Sequence, residues 1–172
     1  MRTLSLEEAA TLIKMPDIAS FFEGVDWQYP DPVPSYFLPK DSGAKVSLAR
    51  LIANLFLDRG PVVVWITEIG IWRSAEHMDL IRRYRLSYGE ERDIVAAPIH
   101  IFQTPDDRDA LISIVSLGLF FIWGFEIMNQ DRSQAITVSH DEWLEYRFKL
   151  GEQALGTASL KNLDEWMKAI SN

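Results

Sequence analysis

ALISIVSLGLFFIWGF, residues 110–125, carries no charged residue, and the fold must be built around the burial of that stretch. It follows Thr104-Pro105-Asp106-Asp107, a helix-start signal in which proline suits the first turn and acids favour the positive end of the helix dipole. Its uncharged length of 16 residues falls short of the roughly 18 or more that a membrane span requires. Ser113, Ser116 and Gly118 lower its hydrophobicity, and the acidic lead PDDRD lies in the same helix. The stretch therefore reads as a buried helix and not as a membrane segment. A helix apolar on nearly every side must be covered on nearly every side. The cover is either a sheet and other helices of the same chain, or a second copy of the chain in a homodimer.

The flanking sequence supplies elements for the first cover. Val62-Val63-Val64-Trp65-Ile66-Thr67 is a β-branched run bounded by turn signals, the pattern of a central strand buried on both faces. Residues 97–102, 125–128 and 134–138 read as three further short strands, the last two joined as a hairpin. Residues 45–58 carry Leu48, Leu51, Ile52 and Leu55 at helical spacing. Residues 74–88 form a second helix with Met78, Ile81, Tyr84 and Tyr88 as its buried row. Ser5-Leu6-Glu7-Glu8 and Ser139-His140-Asp141-Glu142 both match the capping box, and the second of them predicts a helix over 141–150. A last helix carries Leu160, Leu163, Met167 and Ile170 on one face. Residues 23–39, with Pro30, Pro32, Pro34 and Pro39 among Trp27, Tyr29, Tyr36 and Phe37, read as a proline- and aromatic-rich arm pinned to the body. Strands alternating with helices predict a single α/β domain over 1–172, with a small mixed sheet of about four strands covered by helices. The first three strands are expected to run parallel and the last antiparallel at an edge.

Composition narrows the function. The chain has 172 residues, no cysteine and a formal net charge of -8. That excludes a disulfide framework and thiolate chemistry. The N-terminal residues carry Glu7 and Glu8 where a signal peptide needs a basic start and an apolar run, so a cytoplasmic setting is expected. An acidic surface repels phosphate polymers. The best basic patch, Arg82-Arg83-Tyr84-Arg85, follows Asp79 at helical pairing distance. No nucleic-acid partner is expected.

No glycine-rich phosphate loop, nucleophile elbow or HExxH zinc motif occurs. The helices expected after strands begin with Glu76, Asp106-Asp107 and Asp141-Glu142. Those carboxylates would occupy the helix ends where a cofactor phosphate usually sits. No cofactor and no metal are expected. His77, His100 and His140 show no ligand spacing. Ser139-His140-Asp141 cannot form a catalytic relay, because the members of such a triad converge from separate elements. His140 is expected to face solvent. The catalytic candidates that remain are Glu68 at the end of the central strand, Arg73 and His100. Glu68 there could act as a general base or a metal ligand, or pair with an arginine, Arg73 or Arg85.

At WITEIGIW (65–72) and VSHDEW (138–143) the chain resembles a group of uncharacterised bacterial proteins with no assigned function, over residues 61–146. The resemblance implies a bacterial source and carries no activity, ligand or site. Two functions are expected from the residues. One is a non-catalytic protein-interaction module, an acidic protein that masks a partner as immunity proteins or antitoxins do, with a homodimer as the form apolar helix 110–125 would favour. The alternative is a small enzyme with a carboxylate and histidine site at the C-terminal edge of the sheet, built from Glu68, Arg73 and His100.

Overall fold

A computed structural model of the chain describes residues 1–28, 35–69, 78–103 and 105–171. Its strands are β1 (Arg2–Leu4), β2 (Trp27–Gln28), β3 (Ser35–Phe37), β4 (Val62–Glu68), β5 (Ile99–Phe102), β6 (Gly124–Asn129), β7 (Gln134–Val138) and β8 (Trp143–Lys149). Its helices are α1 (Leu6–Ile13), α2 (Ile18–Glu23), α3 (Ser42–Leu57), α4 (Met78–Leu86), α5 (Arg108–Phe120) and α6 (Gln153–Ser171). The strands form one eight-stranded sheet in the order β1-β5-β4-β6-β7-β8-β2, with β3 lying beside β2 on the outer edge of β8. Every pairing is antiparallel.

This corrects the expected mixed sheet of about four strands. The chain still mixes helix and sheet, but among the described residues no neighbouring strands run parallel. The reason lies in β5, α5 and β6. Both strands run antiparallel to β4, so they run parallel to each other, with α5 as the crossover between them. They are not neighbours, because β4 lies between them. This is the split form of the β-α-β unit, and its sequence looks the same as the unsplit form.

The other correction concerns residues 141–150, which form a strand and not a helix. Trp143 to Lys149 reads WLEYRFK, and Leu144, Tyr146 and Phe148 are buried while the residues between them are half-exposed. A period of two is the mark of a strand with one face on the core. The preceding Ser-x-x-Glu spacing imitated a helix start. Once β8 is a strand, its free edge recruits the ends of the 23–39 arm. Trp27 and Gln28 pair with Lys149 and Phe148, and Ser35 to Phe37 pair with Trp143 to Glu145.

One face of the sheet presents Val62, Val64, Phe102, Ile127, Ile136 and Tyr146 to α3, α5 and the C-terminal part of α6. The apolar helix is thus covered by its own chain. Ala110, Leu111, Ile114, Val115 and Leu119 are buried, and of its apolar residues only Phe120 is classed as exposed. Gly118 makes this close packing feasible, since a Cβ there would stand 2.6 Å from the Phe125 ring. Buried polar side chains serve the helix ends, whose last carbonyls have no partner within the helix. Lys45 Nζ donates to the Leu119 carbonyl at 2.8 Å, Asn129 to Phe56 at 2.9 Å and Gln134 to Leu55 at 2.7 Å. The opposite face, with Val63, Ile99, Ile101, Met128 and Ala135, is covered by α1 and α2 through Ala9, Ile18, Phe21 and Phe22. Ser5 and Glu8 make both bonds of the expected capping box on α1.

Among the described residues, no helix is long and apolar enough to cross a membrane.

Candidate functional site

The sheet separates the residues singled out as catalytic. His100 pairs with Val64 in the middle of β5 and β4, four residues before Glu68 on β4, which is roughly 13 Å along a strand. His100 is 0% exposed. Its Nδ1 lies 3.2 Å from the Pro98 carbonyl, so Nδ1 carries the proton and donates there. Its Nε2 is then left to accept from Arg85 Nη1 at 3.5 Å. Burial, reinforced by the Arg85 charge, pushes the imidazole down to about 3, so it is neutral. Arg73 lies outside the described residues, as does His77. Glu68 and His100 therefore belong to different sites, and no enzyme centre of the expected composition is assembled from them.

Glu68 instead meets His140. Its Oε2 accepts from His140 Nδ1, a partner 72 residues away and one that the sequence reading turned towards solvent. Two local features bring them together. A bulge between Ile66 and Glu68 shifts the end of β4 against β6. Opposite Glu68 stands Gly124, where a Cβ would lie 2.7 Å from Glu68 Oε2 and 3.0 Å from Glu68 Cβ. Only glycine lets the glutamate lie across the start of β6 and reach the far hairpin.

That hairpin joins β7 to β8. Ser139 N donates to the Trp143 carbonyl at 2.9 Å, and Glu142 N to the Ser139 carbonyl at 3.1 Å. A tight turn over Ser139–Glu142 is thus followed by one residue in the left-handed region, Glu142 at φ 63. Three-residue hairpin loops are commonly built this way, with glycine at the left-handed position. Here a glutamate occupies it. The Ser139 hydroxyl accepts from Asp141 N at 3.1 Å, a bond that closes the turn. His140 Nε2 lies 3.5 Å from Asp141 Oδ1.

The neighbouring wall is the end of α5. Trp123 N donates to the Gly118 carbonyl at 2.9 Å, the closing bond of a Schellman motif, whose left-handed residue is usually glycine. In this chain it is Ile122, at φ 54. A β-branched residue there is a genuine outlier. Ile122, His140, Asp141 and Glu142 line one open depression of about 340 Å³, with Glu68 held against His140 beside it. Among the described residues, two of the four non-glycine residues of left-handed backbone thus border the same hollow. Backbone strain of this kind costs about 1–3 kcal/mol per residue and tends to collect where a protein binds or reacts.

The chemistry on offer is acidic and open. Glu68, Asp141 and Glu142 contribute carboxylates around a single imidazole, a surface suited to a cation or a cationic side chain. Among the described residues, no group of three or more His, Cys, Asp or Glu is arranged to hold a metal ion. The expected role of Asp106 and Asp107 also changes. Asp107 makes no side-chain cap on α5; its Oδ2 accepts from Gln103 N at 2.8 Å and its Oδ1 holds the N-terminal ammonium of Met1.

Two relevant side chains escaped the sequence reading. His140 could not be linked to Glu68 without the strand order. Arg85 carries a signal: it follows Ile81 by four residues and so shares its buried face, whereas its neighbours Arg82 and Arg83 are exposed. No family model, curated protein or solved structure matches the chain.

Proposed function

We propose that this protein works by binding another protein, offering the acidic hollow of the β7–β8 hairpin to a basic segment of its partner. The observation that carries the reading is the concentration of strained backbone and carboxylates at one open surface, Ile122 and Glu142 with Asp141 and the Glu68–His140 pair. Its support from the rest of the molecule is electrostatic. A net charge of -8 draws a basic partner and speeds encounter. Masking of a basic partner by a small acidic protein is the logic of immunity proteins and antitoxins, here an analogy of charge. The absence of cysteine accords with a reducing, cytoplasmic setting.

The enzyme alternative loses its support with the separation of Glu68 from His100. Self-association through α5 is not required to bury that helix, since α3 and the sheet already cover it.

The test is co-purification from the native host with mass spectrometry, using the wild type and two charge-reversed forms. Asp141→Lys with Glu142→Lys is expected to lose the partner. Asp58→Lys with Asp106→Lys, exposed at the other end of the sheet, is expected to keep it. Equal loss in both forms would show a general charge effect and refute the assignment to the hairpin.

A further inference from the structure

Arg85 is a buried charge with an unsatisfied donor. It is 1% exposed, and among the described residues no carboxylate forms a salt bridge with it. Its Nη1 donates to the Ala97 carbonyl at 2.9 Å and faces His100 Nε2 at 3.5 Å. Its Nη2 has only the Asp93 carbonyl, at 3.5 Å. Its Nε is buried with no hydrogen-bond partner. Buried charges are normally paired, and an unsatisfied buried donor in a native structure calls for an explanation. Burial lowers the guanidinium from its ordinary value, with Glu90 and Asp93 drawing it partly back; an arginine nevertheless stays charged.

The pattern of satisfied and unsatisfied donors is informative. Nε–H and the nearer N–H of Nη2 lie on one edge of the planar guanidinium. That edge is a fork able to hold a carboxylate by two parallel hydrogen bonds. The Nη1 side is fixed, and neutral His100, itself held by Pro98, orients it. Arg85 lines a cavity of about 350 Å³ between α4 and the segment before β5. The volume suits a small molecule. Met78, Ile81 and Ile94 give the cavity an apolar wall.

The remaining charges select among anions. Asp79, Glu91 and Asp93 line the same cavity together with Arg82, and the three carboxylates outnumber that cation and repel a dianionic phosphate more than a monoanion. Arg92, also on the lining, is already held by Glu8 and Glu90. We propose that this cavity binds a small organic monocarboxylate with an apolar body, gripped on the Nε/Nη2 edge of Arg85 with the body against Met78, Ile81 and Ile94. His100 acts as a positioning residue. The site is distinct from the acidic hollow and stands independently of the partner proposed there.

The experiment is a titration of the full chain, labelled with ¹⁵N, with isovalerate and with phenylacetate, and with inorganic phosphate as the comparison. The expected result is a saturable shift of the Arg85 Nε–H signal and of the Ile81, Ile94 and Ala97 amides with at least one carboxylate. Phosphate should bind at least about tenfold more weakly, and Arg85→Lys, which lacks the planar fork, should weaken carboxylate binding by about tenfold or more. Where Arg85→Lys does not fold, the wild-type amide shifts decide alone. No saturable shift with either carboxylate overturns the proposal. So do phosphate binding as tight as the carboxylates, and undiminished binding by a folded Arg85→Lys.

Discussion

At Glu142 a single dihedral angle can be separated from everything around it. The residue sits at φ 63 in a loop that glycine normally completes, and left-handed backbone costs a non-glycine residue about 1–2 kcal/mol. Glu142→Gly is therefore expected to raise stability, by about 0.5–1 kcal/mol after the added freedom of the unfolded chain is subtracted. Denaturant unfolding would read it as a higher midpoint with an unchanged slope. A lower midpoint would mean that the glutamate side chain is itself structural. His100 makes a second prediction at this scale. Burial holds its folded form down to about 3, against an ordinary 6.5. Between those values the unfolded chain binds the proton and the folded one does not, so stability is full above pH 6.5 and falls as pH drops. Glu90, lowered to about 2 chiefly by its hydrogen bonds with Arg92, adds acid sensitivity only below its ordinary 4.5. The window from pH 6.5 to 4.5 thus isolates His100 from Glu90. His100→Gln keeps a donor and an acceptor without titrating, and should flatten the fall there by about 2 kcal/mol. If stability measured by urea unfolding falls across that window equally in the wild type and in His100→Gln, His100 takes up its proton in the folded state as well.

The elements show where local pattern decides structure and where it does not. Gly118 belongs to a helix that gains nothing locally from a glycine, and its reason is the Phe125 ring packed 2.6 Å from where a Cβ would stand. Gly118→Ala should destabilise the protein by about 1–3 kcal/mol as an overpacked contact, seen as a lower thermal midpoint. A gain in stability, as helix propensity alone predicts, would mean that α5 can move off the sheet freely. Period and caps made α1, α3, β4 and the burial of α5 legible in the sequence, because each is set by its own residues. The stretch 144–149 carries the strand period, since LEYRFK alternates apolar with charged residues, but the Ser-x-x-Glu spacing before it carries the opposite message. The same four residues close a hairpin or open a helix, and only the pairing of β8 with β7 decides between them. Strand direction was hidden for a related reason. A crossover helix sets β5 parallel to β6, and nothing in either strand reveals that β4 lies between them.

For the whole molecule, strand order turns two unremarkable residues into a pair and separates two that looked related. Glu68 and His140 meet because β6 lies next to β4 and β7 next to β6, and because Gly124 leaves room above β6. Glu68 and His100 stay apart because the register places His100 opposite Val64. The candidate site was therefore half legible: the carboxylate at the strand end was visible, its partner was not. With the hollow assigned to a basic partner, attraction should weaken as salt screens the acidic surface. The most direct measurement is zero-length carbodiimide cross-linking in a lysate of the native host, which joins carboxylates to lysine amines, followed by mass spectrometry of the linked peptides. One dominant protein linked through Asp141 or Glu142 is expected, with loss of the links at high salt. Links scattered over carboxylates at both ends of the sheet, or a dominant partner attached away from the β7–β8 hairpin, would contradict the assignment.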